Sequence, residues 1–305
     1  MITFSRLGKK GNLGNQLFQV ASTIGLAKRH NHEYVLPPWE QAQFFDYNFP
    51  IGSPEGFKTL HEKHFPYYEW NLGRDNYDIL GYLQSEKYFD RPFTKRMFTI
   101  KPEVFRSAQI KQNLMGDPKN IIISVRRGDF VHHPWFYQIS YKYYLGALLS
   151  YFPDYKSRNL IFTSDDIEYC KIHFSSLPNA NFLENLTPIQ QLAFATTCKD
   201  FIISNSTFSW WLAWIGEKSD STIVRPLKNF RGKHAIKNNE ADYFPNRWEI
   251  FDHESYRLSF KFYKIILKGE VYGLANSLVH VFEKTPLKIR KLISKKTKWF
   301  YKFLR

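Results

Sequence analysis

The run Asn120-Ile121-Ile122-Ile123-Ser124-Val125 constrains the fold more than any other stretch of this chain. Successive isoleucines send apolar side chains to both faces of an extended strand, so Ile121–Val125 is expected to be a strand covered on both sides. Strand and helix patterns then alternate. Tyr141–Phe152, Asp166–Phe174, Pro188–Thr197 and Ser209–Gly216 read as helices, while Asn159–Thr163, Asp200–Ser204 and Thr222–Val224 read as strands. This order predicts an α/β fold with a parallel sheet. Upstream, residues 2–4 predict a short strand, Gly8–Gly14 a loop, and Asn15 to about Arg29 a helix with Leu17, Phe18, Ala21, Ile24 and Ala27 at helical spacing. Pro37–Tyr77 shows no sustained period and predicts irregular chain with short helices, followed by a strand over Tyr77–Leu83. A length of 305 residues with 43% hydrophobic content can fill two modest cores. With a boundary near Asp117-Pro118, the expected units are 1–117, 118–252 and a tail, 253–305.

Four segments fall at the carboxyl ends of predicted strands, where open α/β sheets bind ligands. Gly11-Asn12-Leu13-Gly14-Asn15 is a glycine-bearing turn feeding a helix; it reads equally as a tight turn and as an anion site that uses the free N–H groups of the helix start. Ser124-Val125-Arg126-Arg127-Gly128-Asp129-Phe130 follows the isoleucine strand, and a guanidinium there can grip a diphosphate through two parallel hydrogen bonds without losing its charge. An ion pair between Arg127 and Asp129 is the plainer reading of the same residues. In Thr163-Ser164-Asp165-Asp166, Ser164 or Asp165 can cap the next helix, and these groups can also touch a nucleoside. Ser204-Asn205-Ser206-Thr207-Phe208-Ser209 can present hydroxyls and N–H groups to phosphate oxygens, while Trp210 and Trp211 are expected to pack between helix and sheet.

The net charge of +15 is unevenly spread. Thirteen Lys/Arg against Glu270 and Glu283 put +11 of it in residues 256–305, interleaved with Phe260, Phe262, Ile265, Leu267, Trp299 and Phe303. That mixture suits a tail lying in an anionic lipid interface better than a nucleic-acid surface, the alternatives being a solvated tail or one packed on the protein. Cys170 and Cys198 lack partners at metal-ligand spacing and read as buried thiols; no D-x-D triplet is present. No metal or cofactor is therefore expected. The N-terminus holds no apolar stretch of signal-peptide or membrane-spanning length, which predicts a cytoplasmic, bacterial-type chain, peripheral on the inner face of the membrane.

In this order, the segments resemble the inverting α-1,2-fucosyltransferases of glycosyltransferase family 11. The family's G-x-L-G-N-Q-[LM]-F-Q stands here as Gly11–Gln19, G-Y-x-Q-S-E-K-Y-F as Gly81–Phe89, and H-x-R-R-G-D-[YF] is matched from Val125 to Phe130. F-S-D-D-I-E-[WY]-C-K is similar to Phe162–Lys171 with one extra threonine, and N-S-[ST]-F-S-W-W-x-A-W is Asn205–Trp214. The resemblance runs from residue 1 to about 252 and departs from the family at Asn12, Ser124 and Gln191, which bear on how sugar or ribose is held.

The resemblance implies a GT-B-like arrangement, two Rossmann-like domains with a deep cleft, carrying a basic aromatic helical tail. It further implies inverting transfer of L-fucose from GDP-fucose to O2 of a terminal galactose, in O-antigen, lipooligosaccharide or capsule synthesis, on an oligosaccharide or lipid-linked acceptor. Arg126 and Asp129 are the expected catalytic residues. Asn12, Gly14, Asn15, Arg126, Ser164, Asp165, Asp166, Ser206, Thr207, Phe208 and Ser209 are expected to surround the donor. The alternatives are transfer of another GDP-deoxysugar, and a non-catalytic glycan- or membrane-binding protein.

Overall fold

The structure, a computed structural model, describes residues 1–53, 55–108 and 114–285. Its frame is two all-parallel sheets. The smaller contains β1 (Ile2–Thr3), β2 (Lys58–His61) and β3 (Tyr77–Leu80) in the order β1-β3-β2. The larger contains β4 (Asn120–Val125), β5 (Asn159–Ser164), β6 (Ala180–Phe182), β7 (Asp200–Ile203), β8 (Ile223–Pro226) and β9 (Glu249–Phe251) in the order β6-β5-β4-β7-β8-β9. The chain starts at β4, winds outward through β5 and β6, then returns to β7 on the other side of β4. Strand order therefore reverses between β4 and β7, and such a reversal opens a crevice at the carboxyl ends of the two strands.

The isoleucine run divides between two apolar layers. Ile122 joins Ile161, Phe201 and Ile203 under α6 (Pro188–Thr196) and α7 (Thr207–Gly216). Ile121 and Ile123 face the layer of α4 (Tyr141–Tyr151) and α5 (Ile167–Phe174). The first layer continues without a break into the smaller sheet through α1 (Leu13–Arg29), whose Phe18 ring lies 4.5 Å from Trp210 and 5.0 Å from Trp211. Trp210, Trp211 and Trp214 are fully buried, as expected of packing rings. Farther out, Arg247 bridges Glu86 (2.5 Å) and Glu217 (2.6 Å), and Glu217 also pairs with Arg91 of α2 (Arg91–Met97) at 2.7 Å.

Several expectations need correction. The first helix begins at Leu13, two residues early, because Asn12 takes extended backbone and its carbonyl accepts the first helical bonds. The stretch from 37 to 77 contains the regular strand β2 besides a short 3-10 helix at Glu40–Phe44. Lys58, Thr59 and His61 are exposed, so β2 has no apolar alternation to betray it. The strand expected at Tyr77–Leu83 ends at Leu80, and α3 (Pro102–Ser107), α8 (Gly232–Lys237), β6 and β9 are short elements without a readable period. The tail forms α9 (Tyr263–Lys284), whose Ile265 is buried in the second layer, so its first half packs on the protein. The rest of the basic tail, 286–305, lies outside the described residues.

Candidate active site

The carboxyl end of β4 carries the site. Val125, the last residue of that strand, pairs in register with Ser164 at the end of β5, which brings the double arginine against Asp165 and Asp166. The Arg127 backbone N–H donates to Asp165 Oδ1 at 2.9 Å. Gly128 lies so close that an added Cβ would push the Asp165 carboxylate aside. Arg126 donates from one terminal nitrogen to Asp129 (2.5 Å) and sits 3.3 Å from Asp165 through the other, with its guanidinium over the Phe130 ring at 5.3 Å. Its side chain is 24% exposed, although its Nε is buried. Asp129, at 66% exposed, is the looser partner.

Arg127 differs from its neighbour. Its guanidinium lies 4.1 Å from the Tyr169 ring centroid and 5.5 Å from that of Tyr272, with Asp166 at 3.8 Å from its Nε. Tyr169 is buried, and burial pushes its phenol far above the ordinary value, so it remains neutral beside the cation. Asp166 caps α5 by accepting the Tyr169 N–H at 3.1 Å, and Ser164 Oγ accepts the Asp166 N–H at 2.9 Å. The cap of α5 is therefore Asp166 rather than Ser164 or Asp165, which were expected to supply it: Ser164 holds the N–H of the cap residue itself, and Asp165 is drawn to the arginine loop. Cys170 and Cys198 are free and buried, and burial pushes their thiols up to about 12 and about 11.

On the other side of β4, the hydroxyls form a closed group. Ser209 Oγ lies 2.7 Å from Ser124 Oγ, 2.7 Å from Ser204 Oγ and 3.0 Å from Ser206 Oγ, all four side chains being buried. Ser206 also caps α7 by accepting the Ser209 N–H at 3.1 Å. These serines were expected to turn their hydroxyls toward phosphate; they turn them toward one another. Ser124, a departure from the family pattern, is thereby a member of the network. Gln191, another departure, accepts a hydrogen bond from the buried Thr163 hydroxyl. Thr207 and Phe208, at the start of α7, are half-buried.

Gly14 was expected to admit a ligand to the backbone. What approaches it is α7: an added Cβ would lie 2.5 Å from Phe208 N and 2.7 Å from Thr207 Oγ1. Two helix starts are thus brought together, both with positive dipole ends, beside the β4–β7 reversal. Asn15 Oδ1 accepts from Gln84 Nε2 at 2.8 Å, and the exposed Asn12 makes no capping bond with its side chain. All four segments therefore meet on one edge. The first touches the fourth at Gly14, the fourth touches the second through Ser209 and Ser124, and the second touches the third through Arg126 and Asp165.

Two contributors escaped the sequence reading. Glu62, just past β2, accepts the backbone N–H groups of Tyr82 (2.8 Å) and Leu83 (3.1 Å), and its burial raises its carboxyl above the usual range. It holds the turn in which Leu83 adopts a φ of 51°, and no motif marked it because β2 itself was hidden. Tyr272 lies 145 positions from Arg127 and had no local signal at all. Among the described residues, no group of three or more His, Cys, Asp or Glu side chains could hold a metal ion.

Comparison with known proteins places these motifs in context. The model of glycosyl transferase family 11 matches residues 5–251. The chain is 25% identical over 177 residues to the O-antigen biosynthesis glycosyltransferase WbnK of Escherichia coli (54% of this chain, 59% of the relative). It is 27% identical over 182 residues to an Escherichia coli alpha-1,2-colitosyltransferase (56% and 61%), and 24% identical over 231 residues to the human galactoside alpha-(1,2)-fucosyltransferase 1 (67% and 63%). The chain thus spans about three fifths of the length of these relatives. Among solved structures, NodZ alpha-1,6-fucosyltransferase soaked with GDP-fucose superposes with a TM-score of 0.47 at 11% identity, covering 70% of this chain and 91% of NodZ.

Proposed function

Since this chain belongs to glycosyl transferase family 11, we propose that it transfers L-fucose from GDP-fucose, with inversion, to O2 of a terminal galactose, in the assembly of an O-antigen, lipooligosaccharide or capsule glycan. One observation carries the reading: the partly exposed Arg126 side chain at the strand-order reversal, beside the joined starts of α1 and α7. The names of the bacterial O-antigen relative and of the human galactoside enzyme support the substrate class. In this reading the arrangement is GT-B-like, the donor lies along the carboxyl edge of β4 and β7, and the acceptor approaches from the side of the smaller sheet.

Departure of GDP from the anomeric carbon leaves an oxocarbenium-like sugar and places negative charge on the diphosphate. Arg126 neutralises that charge, a contribution of about 3 kcal/mol for a preorganised donor. Two guanidinium groups face three carboxylates before the donor arrives, so the diphosphate must displace one of them. Asp129 is the one free to leave, being exposed and held by a single contact, whereas Asp165 is tied to the Arg127 backbone. Its contact with Arg126 suits an orienting role rather than that of a general base. The clamp needs no divalent ion in this scheme.

The membrane reading attaches to α9. Its outer face exposes Leu267, Val271, Leu274, Leu278 and Val281 at alternating spacings of four and three, near Lys264 and Lys268. An anionic lipid surface fits that stripe. No described helix is long and apolar enough to cross a membrane.

The test is incubation with GDP-fucose and a panel of galactose-terminated oligosaccharides, with and without a chelator, followed by product mass and linkage analysis. An α-1,2-fucoside formed equally in both arms is expected; absence of GDP release with every acceptor overturns the catalytic reading. A second reading, transfer of another deoxyhexose, is favoured by the colitosyltransferase relative, and a parallel screen of GDP-sugars separates the two. Sedimentation with vesicles of anionic lipid tests the tail: the double variant Leu274→Glu/Leu278→Glu is expected to stay in the supernatant, and partitioning equal to the unaltered protein overturns the lipid reading.

A further inference from the structure

The family match ends at residue 251, yet α9, beyond it, returns to the arginine loop. Its inner face is seated by close contact: Gly269 packs so tightly on the Tyr141 ring that a Cβ there would overlap it. Tyr141 Oη donates to Glu270 at 2.9 Å, and Lys142 pairs with the same carboxylate at 2.8 Å. One turn on, Tyr272 meets the Tyr169 ring at 5.3 Å and the His173 ring at 5.1 Å, both nearly edge to face. Its centroid lies 5.5 Å from the Arg127 guanidinium and the Tyr169 centroid 4.1 Å from it, so the two edge-to-face rings form an aromatic corner against the cation. Two turns later the His280 ring stacks on His132, which follows the arginine loop directly, at 4.3 Å and 22°. The helix is thus fixed at α4, at Arg127 and at the end of the loop.

We propose that Tyr272 of α9 is a positioning residue for the donor clamp: with Tyr169 it seats Arg127 in a corner of two rings, and this holds the adjoining Arg126 at the carboxyl end of β4 in the orientation that grips the diphosphate. The inference rests on the donor reading above. Arg127 is only 11% exposed and its Nε has no hydrogen-bond partner, so its place is set by ring faces and by Asp166 more than by a hydrogen-bond fork. A cation on an aromatic face is held through the ring quadrupole, and removing one of the two faces frees the side chain to rotate. Arg126 is the next residue on the same short loop, and a clamp displaced by a fraction of an ångström loses two-point contact with phosphate.

The test is GDP binding by titration calorimetry, with steady-state kinetics in GDP-fucose, on the full chain and three variants. Tyr272→Phe keeps the ring face and is expected to bind GDP within twofold of the unaltered protein. Tyr272→Leu keeps an apolar filler without a ring face and is expected to weaken GDP binding about tenfold, as does Tyr272→Ala. In both, KM for the donor should rise while KM for the acceptor stays fixed, a split that mere loosening of α9 far from the clamp would not give. Equal GDP affinity in Tyr272→Leu and the unaltered protein overturns the proposal, and so does a loss in Tyr272→Phe as large as that in Tyr272→Leu. If Tyr272→Ala fails to fold, the Phe and Leu variants decide. Failure of the unaltered protein to bind GDP would instead strike the donor reading, and this proposal with it.

Discussion

Two stretches on the same edge of the larger sheet, Arg126–Asp129 and Ser204–Ser209, look alike as sequence: each is a polar run at the end of an apolar strand. Folding makes them opposites. The arginine loop remains charged and partly open, with one exposed carboxylate that can be exchanged. The serine loop closes on itself, and four buried hydroxyls satisfy one another around Ser209. Buried hydroxyls without partners are costly, so neighbouring serines at a helix start saturate each other unless something holds them apart. Guanidinium and carboxylate groups are too strongly hydrated to be buried together without penalty, and they stay at the rim. A polar motif therefore marks a site only when its groups keep unmet hydrogen-bonding capacity in the folded state.

The largest expected effect breaks the comparison on the arginine side. Arg126→Ala should lower turnover by about two to three orders of magnitude, the usual loss of a preorganised donor to a developing anion, with little change in melting temperature. Arg126→Lys should recover little of it, because a point charge cannot reproduce the two-pronged contact. Near-normal turnover in Arg126→Ala would show that the open loop is not the clamp.

Ser209→Val should have the reverse profile. Three buried hydroxyls lose their common partner, so urea denaturation should show a loss of about 1–3 kcal/mol, while the folded fraction keeps its affinity for GDP. A variant of unchanged stability that no longer binds GDP would mean that these hydroxyls face the donor after all.

A smaller effect separates the regions by pH. His173, buried against Tyr169 and Tyr272, has its pKa lowered by burial first and by Arg127 and Lys268, against the Tyr169 carbonyl and Asp166. Its proton is bound more readily in the unfolded chain, so its contribution is intact above the ordinary value of 6.5 and is lost as pH falls from there through the lowered folded value. Stability measured by urea between pH 7.5 and 5 should fall toward acid, with a limiting slope of about 1.4 kcal/mol per pH unit per proton. His173→Phe should flatten that slope; an unchanged slope would assign the acid sensitivity elsewhere. The serine network contains no titrating group and adds nothing to it.

The smallest effect concerns Asp129. If the diphosphate displaces it from Arg126, Asp129→Asn removes a competing charge and should tighten GDP about threefold, while leaving the unliganded fold unchanged. Weaker binding would mean that the carboxylate aims the arginine even in the loaded state.

Much of the site was legible because it depends on strand ends. The isoleucine run located β4, and the residues after it had to emerge at the edge where an α/β sheet binds ligands, which marked the Arg126-Arg127 pair and the Thr163–Asp166 segment as candidates; the choice of Arg126 came from the family resemblance. What was not legible were directions and distant partners. The spacing of Ser204, Ser206 and Ser209 says that their side chains are near one another, but not that the hydroxyls point inward. Gly14 was correctly marked as a place of close approach; that the approaching group is the start of α7 depends on how two helices 190 residues apart pack. The tail was legible only in part. Its apolar residues fall on two faces of α9, and the mixed pattern expected of an interfacial helix concealed an inner face built around Gly269 and Tyr272.

By itself, the amino-acid sequence determined the alternation of strands and helices in the larger sheet, the polar segments at its carboxyl edge and the membership of a family, because local periodicity and residue chemistry are properties of neighbours along the chain. Only the tertiary structure decided which polar groups stay unsatisfied, which arginine is the more exposed and which rests in a corner of two rings, and that α9 supplies one of those rings. Those outcomes depend on competition among residues far apart in sequence for the same few ångströms of space, and no local pattern records who wins it.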